Sequence, residues 1–303
     1  MYRTTALAAG LGAAVMAAPL DTRAHVIVGP RVFPVTLTFD DPGTADEATL
    51  PQVTLAPGSD GAEAYAVQWE YDKTITPNTA LIYNQGYDIL TQRGAKTQTG
   101  FENVAITAKW QAITDADTES VVSLGVIRVF AGGSHTQAVG GDTFGSTVPS
   151  LYFGQGGGFL PVPLLRPLAL SGEVNYVIPD RRLDSTLDNG GSPNGWTGGL
   201  SLQYSMPYLQ TEVRDFGLPD FVNRLIPLVE LTYYSPANAP ADGYPMTLQL
   251  APGFIYLADS YQVGLEALIP LNTAAGAGVG FTTQVHFFLD DLFPDSLGRP
   301  IFP

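Results

Sequence analysis

The chain has 303 residues, of which only 14% are charged, with 33 glycines and 24 prolines, a composition suited to many strands joined by turns. Its formal charge of -15 argues against a nucleic-acid partner, because neutralising phosphates needs clustered Lys and Arg. Zero cysteines exclude disulfides and thiolate chemistry.

Residues 1–24 read as a signal peptide. Arg3 supplies a positive start, Ala6 to Ala18 is an apolar run, Pro19 breaks it, and Thr22-Arg23-Ala24 offers small residues at the −3 and −1 positions. Cleavage after Ala24 is preferred to cleavage after Ala17. Beyond this leader no run is apolar for the roughly 18 residues that a spanning helix needs. Residues 25–60 form an N-terminal extension or a first strand. Arg31–Phe39 alternates but contains Pro34, which suits an edge, and a short second strand is expected at Gln52–Leu55.

From Ala64 the alternation becomes regular, and residues 61–292 are expected to form a barrel. Tyr65, Val67, Trp69 and Tyr71 share one face against Ala66, Gln68, Glu70 and Asp72. Strands are then expected at Thr79–Asp88, Asn103–Ile113 and Ser120–Phe130, followed by a glycine-rich exposed loop over Gly132–Ser146. Further strands fall at Val148–Gln155, Ala169–Ile178, Gly198–Met206, Ile226–Tyr234, Met246–Leu257 and Tyr261–Ile269. In Gly280–Asp290, Phe281, Thr283, Val285, Phe287 and Leu289 alternate with Thr282, Gln284, His286, Phe288 and Asp290. About ten such residues cross a bilayer when tilted.

The expected fold is therefore all-β, an antiparallel transmembrane barrel of about 10–12 strands in the bacterial outer membrane, with twelve reached by recruiting the Phe33 strand. A soluble β-sandwich alternates too, but the long uniform apolar faces and the alternation of short and long loops favour the barrel. Residues 293–303 hold Pro294, Pro300 and Pro303 and cannot continue a regular strand; they are expected to fold back against the rim.

Gly253-Phe254-Ile255-Tyr256 through Tyr261–Asn272, Leu151-Tyr152-Phe153-Gly154-Gln155-Gly156 and His286–Ser296 resemble a group of bacterial exported proteins. That group is similar to the transporter-like outer-membrane barrels of the MetA-pathway of phenol degradation family. The resemblance implies a barrel and passage of small, hydrophobic or aromatic molecules, and supplies no site residues.

With apolar faces turned to lipid, Glu70, Lys109, Glu173, Glu230, Glu266, His286 and Asp290 would line the lumen. Carboxylates outnumber bases among them, so a pore would favour cations. No nucleophile elbow is present, and the glycines of Gly154–Gly158 precede Phe159-Leu160-Pro161, where no phosphate-binding helix can start. A non-enzymatic channel without a cofactor follows, with membrane lipid and a small solute as its partners. The alternative is a secreted or periplasmic β-rich binding protein. There, cleavage after Ala24 exposes His25, whose amine and imidazole would chelate copper.

Overall fold

Alternating strands leave backbone groups unpaired at both edges of an open sheet, and closing the sheet removes those edges. In the computed structural model, which describes residues 26–58, 61–183, 190–237 and 244–302, the chain makes this closure. The expected leader and His25 lie outside the described residues. A short hairpin of β1 (Val26–Val28) and β2 (Arg31–Phe33) comes first. The sheet begins with β3 (Glu47–Pro57), β4 (Glu63–Thr76) and β5 (Thr79–Thr91), and β5 carries a four-residue annex, β6 (Gln98–Phe101). It continues through β7 (Ala105–Asp115), β8 (Ser120–Val129), β9 (Ser146–Gly156), β10 (Leu168–Pro179) and β11 (Gly195–Tyr204). It ends with β12 (Leu225–Pro236), β13 (Thr247–Leu257), β14 (Tyr261–Pro270) and β15 (Gly280–Phe288). β15 pairs with β3, and β4 pairs with both β3 and β5, giving a closed antiparallel barrel of twelve strands.

The wall is inverted relative to a soluble sandwich. In β14 and β15, Val263, Leu265 and Phe281 are exposed, while Gln262, Glu266, Thr282, Gln284 and His286 are buried. Val67, Leu124, Leu151 and Leu200 continue the exposed apolar belt around the wall. The connections 77–78, 116–119 and 258–260, together with the longer 157–167 and 205–224, lie at one end of the barrel, the turn end, and those at 58–62, 92–104, 130–145, 180–194 and 271–279 lie at the other, the loop end.

Residues 34–46 run inside the barrel. The strand expected over Arg31–Phe39 stops at Phe33, where Pro34 removes the next donor, and the barrel's twelfth strand is Glu47–Pro57 instead. The short strand expected at Gln52–Leu55 is its second half, and Pro51 obscured the first half in the sequence. Pro51 falls where the register shifts between Thr49 and Gln52, so its missing N–H coincides with a break in the ladder. The Gly132–Ser146 loop contains a helical turn at Ser134–Ala138, and β15 ends two residues before Asp290, in the helix Leu289–Leu292. The tail folds back on the turn end: Ile301 and Phe302 N–H donate to the Thr74 and Ile75 carbonyls at 3.2 and 2.8 Å.

Two apolar clusters fix the internal segment at the turn end. Leu37 packs with Ile226, Leu228, Ile255, Leu257 and Phe288. Val26, Val28 and Phe33 pack with Val121 and Ala169. Arg31, fully buried, clips the hairpin to the neighbouring turns. Its Nε donates to Glu119 Oε2 (3.0 Å), Nη1 to the Pro167 carbonyl (3.0 Å) and Nη2 to the Arg166 carbonyl (2.6 Å). The guanidinium lies 3.8 Å from the Tyr208 ring centroid, and the Tyr208 hydroxyl donates to Glu119 Oε1 at 2.7 Å.

Two outcomes are expected. A closed barrel resists detergent until heated, so unboiled and boiled protein should migrate differently on one denaturing gel; a single mobility in both lanes would exclude closure. Arg31→Ala leaves Glu119 buried without its cation, at a cost of about 3–5 kcal/mol. Limited proteolysis with mass spectrometry should then cut within residues 26–46 while the heat-dependent mobility persists, and wild-type resistance would show that the clip does not hold the segment.

Candidate functional site

A backbone segment inside a barrel has no neighbouring strand, so its N–H and C=O groups must find side chains. The wall supplies them. Gln262 binds Val35 on both sides, its Oε1 accepting from Val35 N (3.3 Å) and its Nε2 donating to Val35 O (2.7 Å). Gln52 Nε2 donates to Leu37 O at 2.5 Å, Ser123 Oγ to Pro42 O at 2.5 Å, and Lys109 Nζ to Asp41 O at 3.0 Å. Glycines let the segment approach the wall. A Cβ on Gly199 would sit 2.2 Å from Phe39 Cδ1, and one on Gly264 would sit 2.5 Å from Leu37 Cδ1.

Glu230, fully buried on β12, is the centre of this contact. Its Oε1 accepts from Leu37 N at 3.4 Å, and its Oε2 accepts from Thr38 N at 2.9 Å and Thr38 Oγ1 at 2.5 Å. Glu266 is buried beside Glu230, and the two carboxyl groups meet side by side. Lys109 on β7 meets the segment from the opposite side: its ammonium lies 2.7 Å from Asp40 Oδ2 and 4.5 Å from the Tyr152 ring centroid. Burial pushes the Asp41 carboxyl up, while Lys109 pulls it down. His286 ties β15 to β3, with Nδ1 2.8 Å from Thr49 Oγ1 and Nε2 2.7 Å from Glu47 Oε2.

Residues 35–40 form the floor of a cavity of about 360 Å³ on their loop side. Glu70 of β4 and Glu173 of β10 stand in its wall, with Glu102 from the segment before β7 and Asp40 from the floor. Each wall carboxylate takes an amide donor. Asn84 Nδ2 donates to Glu70, Asn175 Nδ2 to Glu173 (2.9 Å) and Gln68 Nε2 to Glu102 (3.0 Å). Among the described residues no Lys, Arg or His lines the cavity. Asp290 belongs elsewhere: it is buried under the C-terminal tail at the turn end, where a Cβ on Gly298 would lie 2.1 Å from its Cα. Burial pushes the Asp290 carboxyl up to about 7.

Of the seven residues marked from sequence, Glu70 and Glu173 therefore meet at the cavity, Lys109 lies beneath it, Glu230 and Glu266 flank the internal segment, and His286 and Asp290 lie toward the turn end. Sequence reasoning missed Asp40, Glu102, Gln262, Gln284 and Tyr152. Gln262 and Gln284 share the polar phase of their strands with Glu266 and His286, so alternation alone could have found them. Glu102 precedes its strand and Asp40 sits in an irregular segment, so no periodic signal marks either. Among the described residues no three His, Cys, Asp or Glu side chains converge to hold a metal.

No protein-family model matches the chain, and no curated protein matches it. Solved structures do. The chain is similar to the COG4313 outer membrane channel from Pseudomonas putida F1, at 8% identity over 85% of this chain and 99% of that one, with a TM-score of 0.57. It is also similar to the NanC porin, at 12% identity over 79% of this chain and 99% of that one, with a TM-score of 0.50. Identities this low speak for the fold, and the chain has the closed antiparallel barrel fold seen in these outer-membrane channels.

Proposed function

We propose that this protein is an outer-membrane channel for small molecules, exported by residues 1–24 and stoppered from within by residues 34–46. One observation carries the reading: the wall is apolar outside and polar inside, with an acidic cavity above the internal segment. An apolar belt around a closed sheet suits lipid, whereas a soluble monomer rarely exposes so continuous a surface. By the usual barrel orientation the turn end faces the periplasm and the loop end faces outward. The passenger enters through the cavity, and its passage requires the 34–46 segment to shift. The cavity's amide and carboxylate lining favours polar solutes over the hydrophobic or aromatic ones that the family resemblance implies.

Glu70 and Glu173 set the field of the cavity and make it prefer cations. In planar bilayers the wild type should pass potassium in preference to chloride, and Glu70→Lys with Glu173→Lys should reverse that preference; identical reversal potentials for the two proteins would remove these residues from the permeation path. Glu230 holds the stopper. A hydrogen bond to a charged group contributes roughly 1.5–3 kcal/mol, so Glu230→Ala should raise conductance or open probability several-fold. An unchanged current would show that the segment does not close the pore through Glu230.

A further inference from the structure

The cavity wall holds a second feature that the amide-capped carboxylates do not explain. Asn175 is 5% exposed, and its Oδ1 has no hydrogen-bond partner among the described residues. Asn175 lines the same cavity as Glu70, Glu102 and Glu173. Buried polar atoms without partners are rare, and each calls for a ligand, a water or an ion. Glu173 is buried as well, with Glu70 and Glu102 in the same wall, and among the described residues no Lys, Arg or His side chain lines the cavity to pair with them.

We infer that this cavity is a binding site for small organic ammonium ions, with linear di- and polyamines as the class it fits. The inference rests on the channel reading above and names its solute. Several observations select this class. The acceptors are distributed around the wall, and among the described residues no three metal-ligating side chains converge, so a single metal ion does not satisfy them together. A chain carrying two or more spaced N–H₃⁺ or N–H₂⁺ groups can. The volume of about 360 Å³ falls within the range of small-ligand sites. The protein also shows the binding mode in its own side chain: the Lys109 ammonium pairs with Asp40 and faces the Tyr152 ring just below the cavity. A soluble amine would repeat that arrangement one layer up, donating to Glu70, Glu102 and Glu173 and to the free Asn175 Oδ1.

The test is isothermal titration of the detergent-folded protein with spermidine, each variant first checked for heat-dependent mobility. Saturable binding to wild type is expected. It should weaken at least tenfold in Glu70→Gln/Glu173→Gln, weaken severalfold in Asn175→Leu, and persist in Asp117→Asn, an exposed acid on the β7–β8 turn. If the double variant fails to fold, Glu102→Gln, which lies outside the strands, gives the same reading. Absence of saturable binding, equal binding by the cavity variants, or displacement of spermidine by an equal concentration of calcium would each overturn the site. Bilayer conductance separates the two claims. Protein that conducts potassium without binding spermidine loses only the ligand assignment, and protein that binds spermidine without conducting loses the channel.

Discussion

Glu230 reaches from β12 to the backbone of Leu37 and Thr38, and the interior of the barrel is organised around contacts of that kind. A twelve-stranded wall satisfies its own backbone by closure, but it leaves inward side chains and, here, a stretch of irregular chain that has no strand to pair with. Neither group can stay unpaired in a narrow space of low dielectric. Wall and segment therefore complete each other. Gln52, Gln262, Lys109 and Ser123 bond the segment's carbonyls, Glu230 and Gln262 accept from its N–H groups, and the polar inner face of the sheet serves as a surrogate neighbouring strand. Removing the segment exposes both sets of groups, and only water entering the lumen could satisfy them.

This dependence explains the division of the interior along the barrel axis. Toward the turn end the contacts are apolar: Leu37 joins the Ile226–Phe288 cluster, and Val28 and Phe33 lie against Val121 and Ala169. Such packing is non-directional and tightly filled. Around residues 38–41 it gives way to hydrogen bonds and the Lys109–Asp40 pair, beside a cavity. Anchor and tip are thus held by different physics. Hydration competes strongly for the polar tip and weakly for the apolar anchor, so opening from the cavity side with the Arg31 hairpin still docked is the less costly movement.

The wall was legible because alternation is a direct record of which face meets which environment. Tyr65–Tyr71 and Phe281–Phe287 specified strands and their outward sides, and the even strand count followed from closure. The interior was less legible. A residue's phase says that Glu230 points inward; it does not say that the carboxylate meets the Leu37 amide, nearly two hundred positions earlier in the chain. Residues 34–46 have no period because their partners are scattered side chains of several strands. Pro51 masked the first half of β3 for a related reason, since a bulge tolerates a missing donor that a regular ladder does not.

The distribution of charge follows from the same geometry. Lys109 is bonded to the segment through Asp40 and the Asp41 carbonyl and lies over the Tyr152 ring of β9, so its ion pair is with Asp40 and not with the carboxylates above it. Arg31 is likewise committed to Glu119 at the turn end. The buried bases secure the stopper, and the cavity keeps the acids that they leave unpaired. A cation drawn to Glu70 and Glu173 therefore arrives beside Asp40, where it competes with the ammonium that holds the segment's tip. In the channel proposed above, occupancy of the cavity and release of residues 34–46 would be linked through that one carboxylate, because a cation that pulls Asp40 from Lys109 weakens the polar half of the contact while the apolar anchor stays in place.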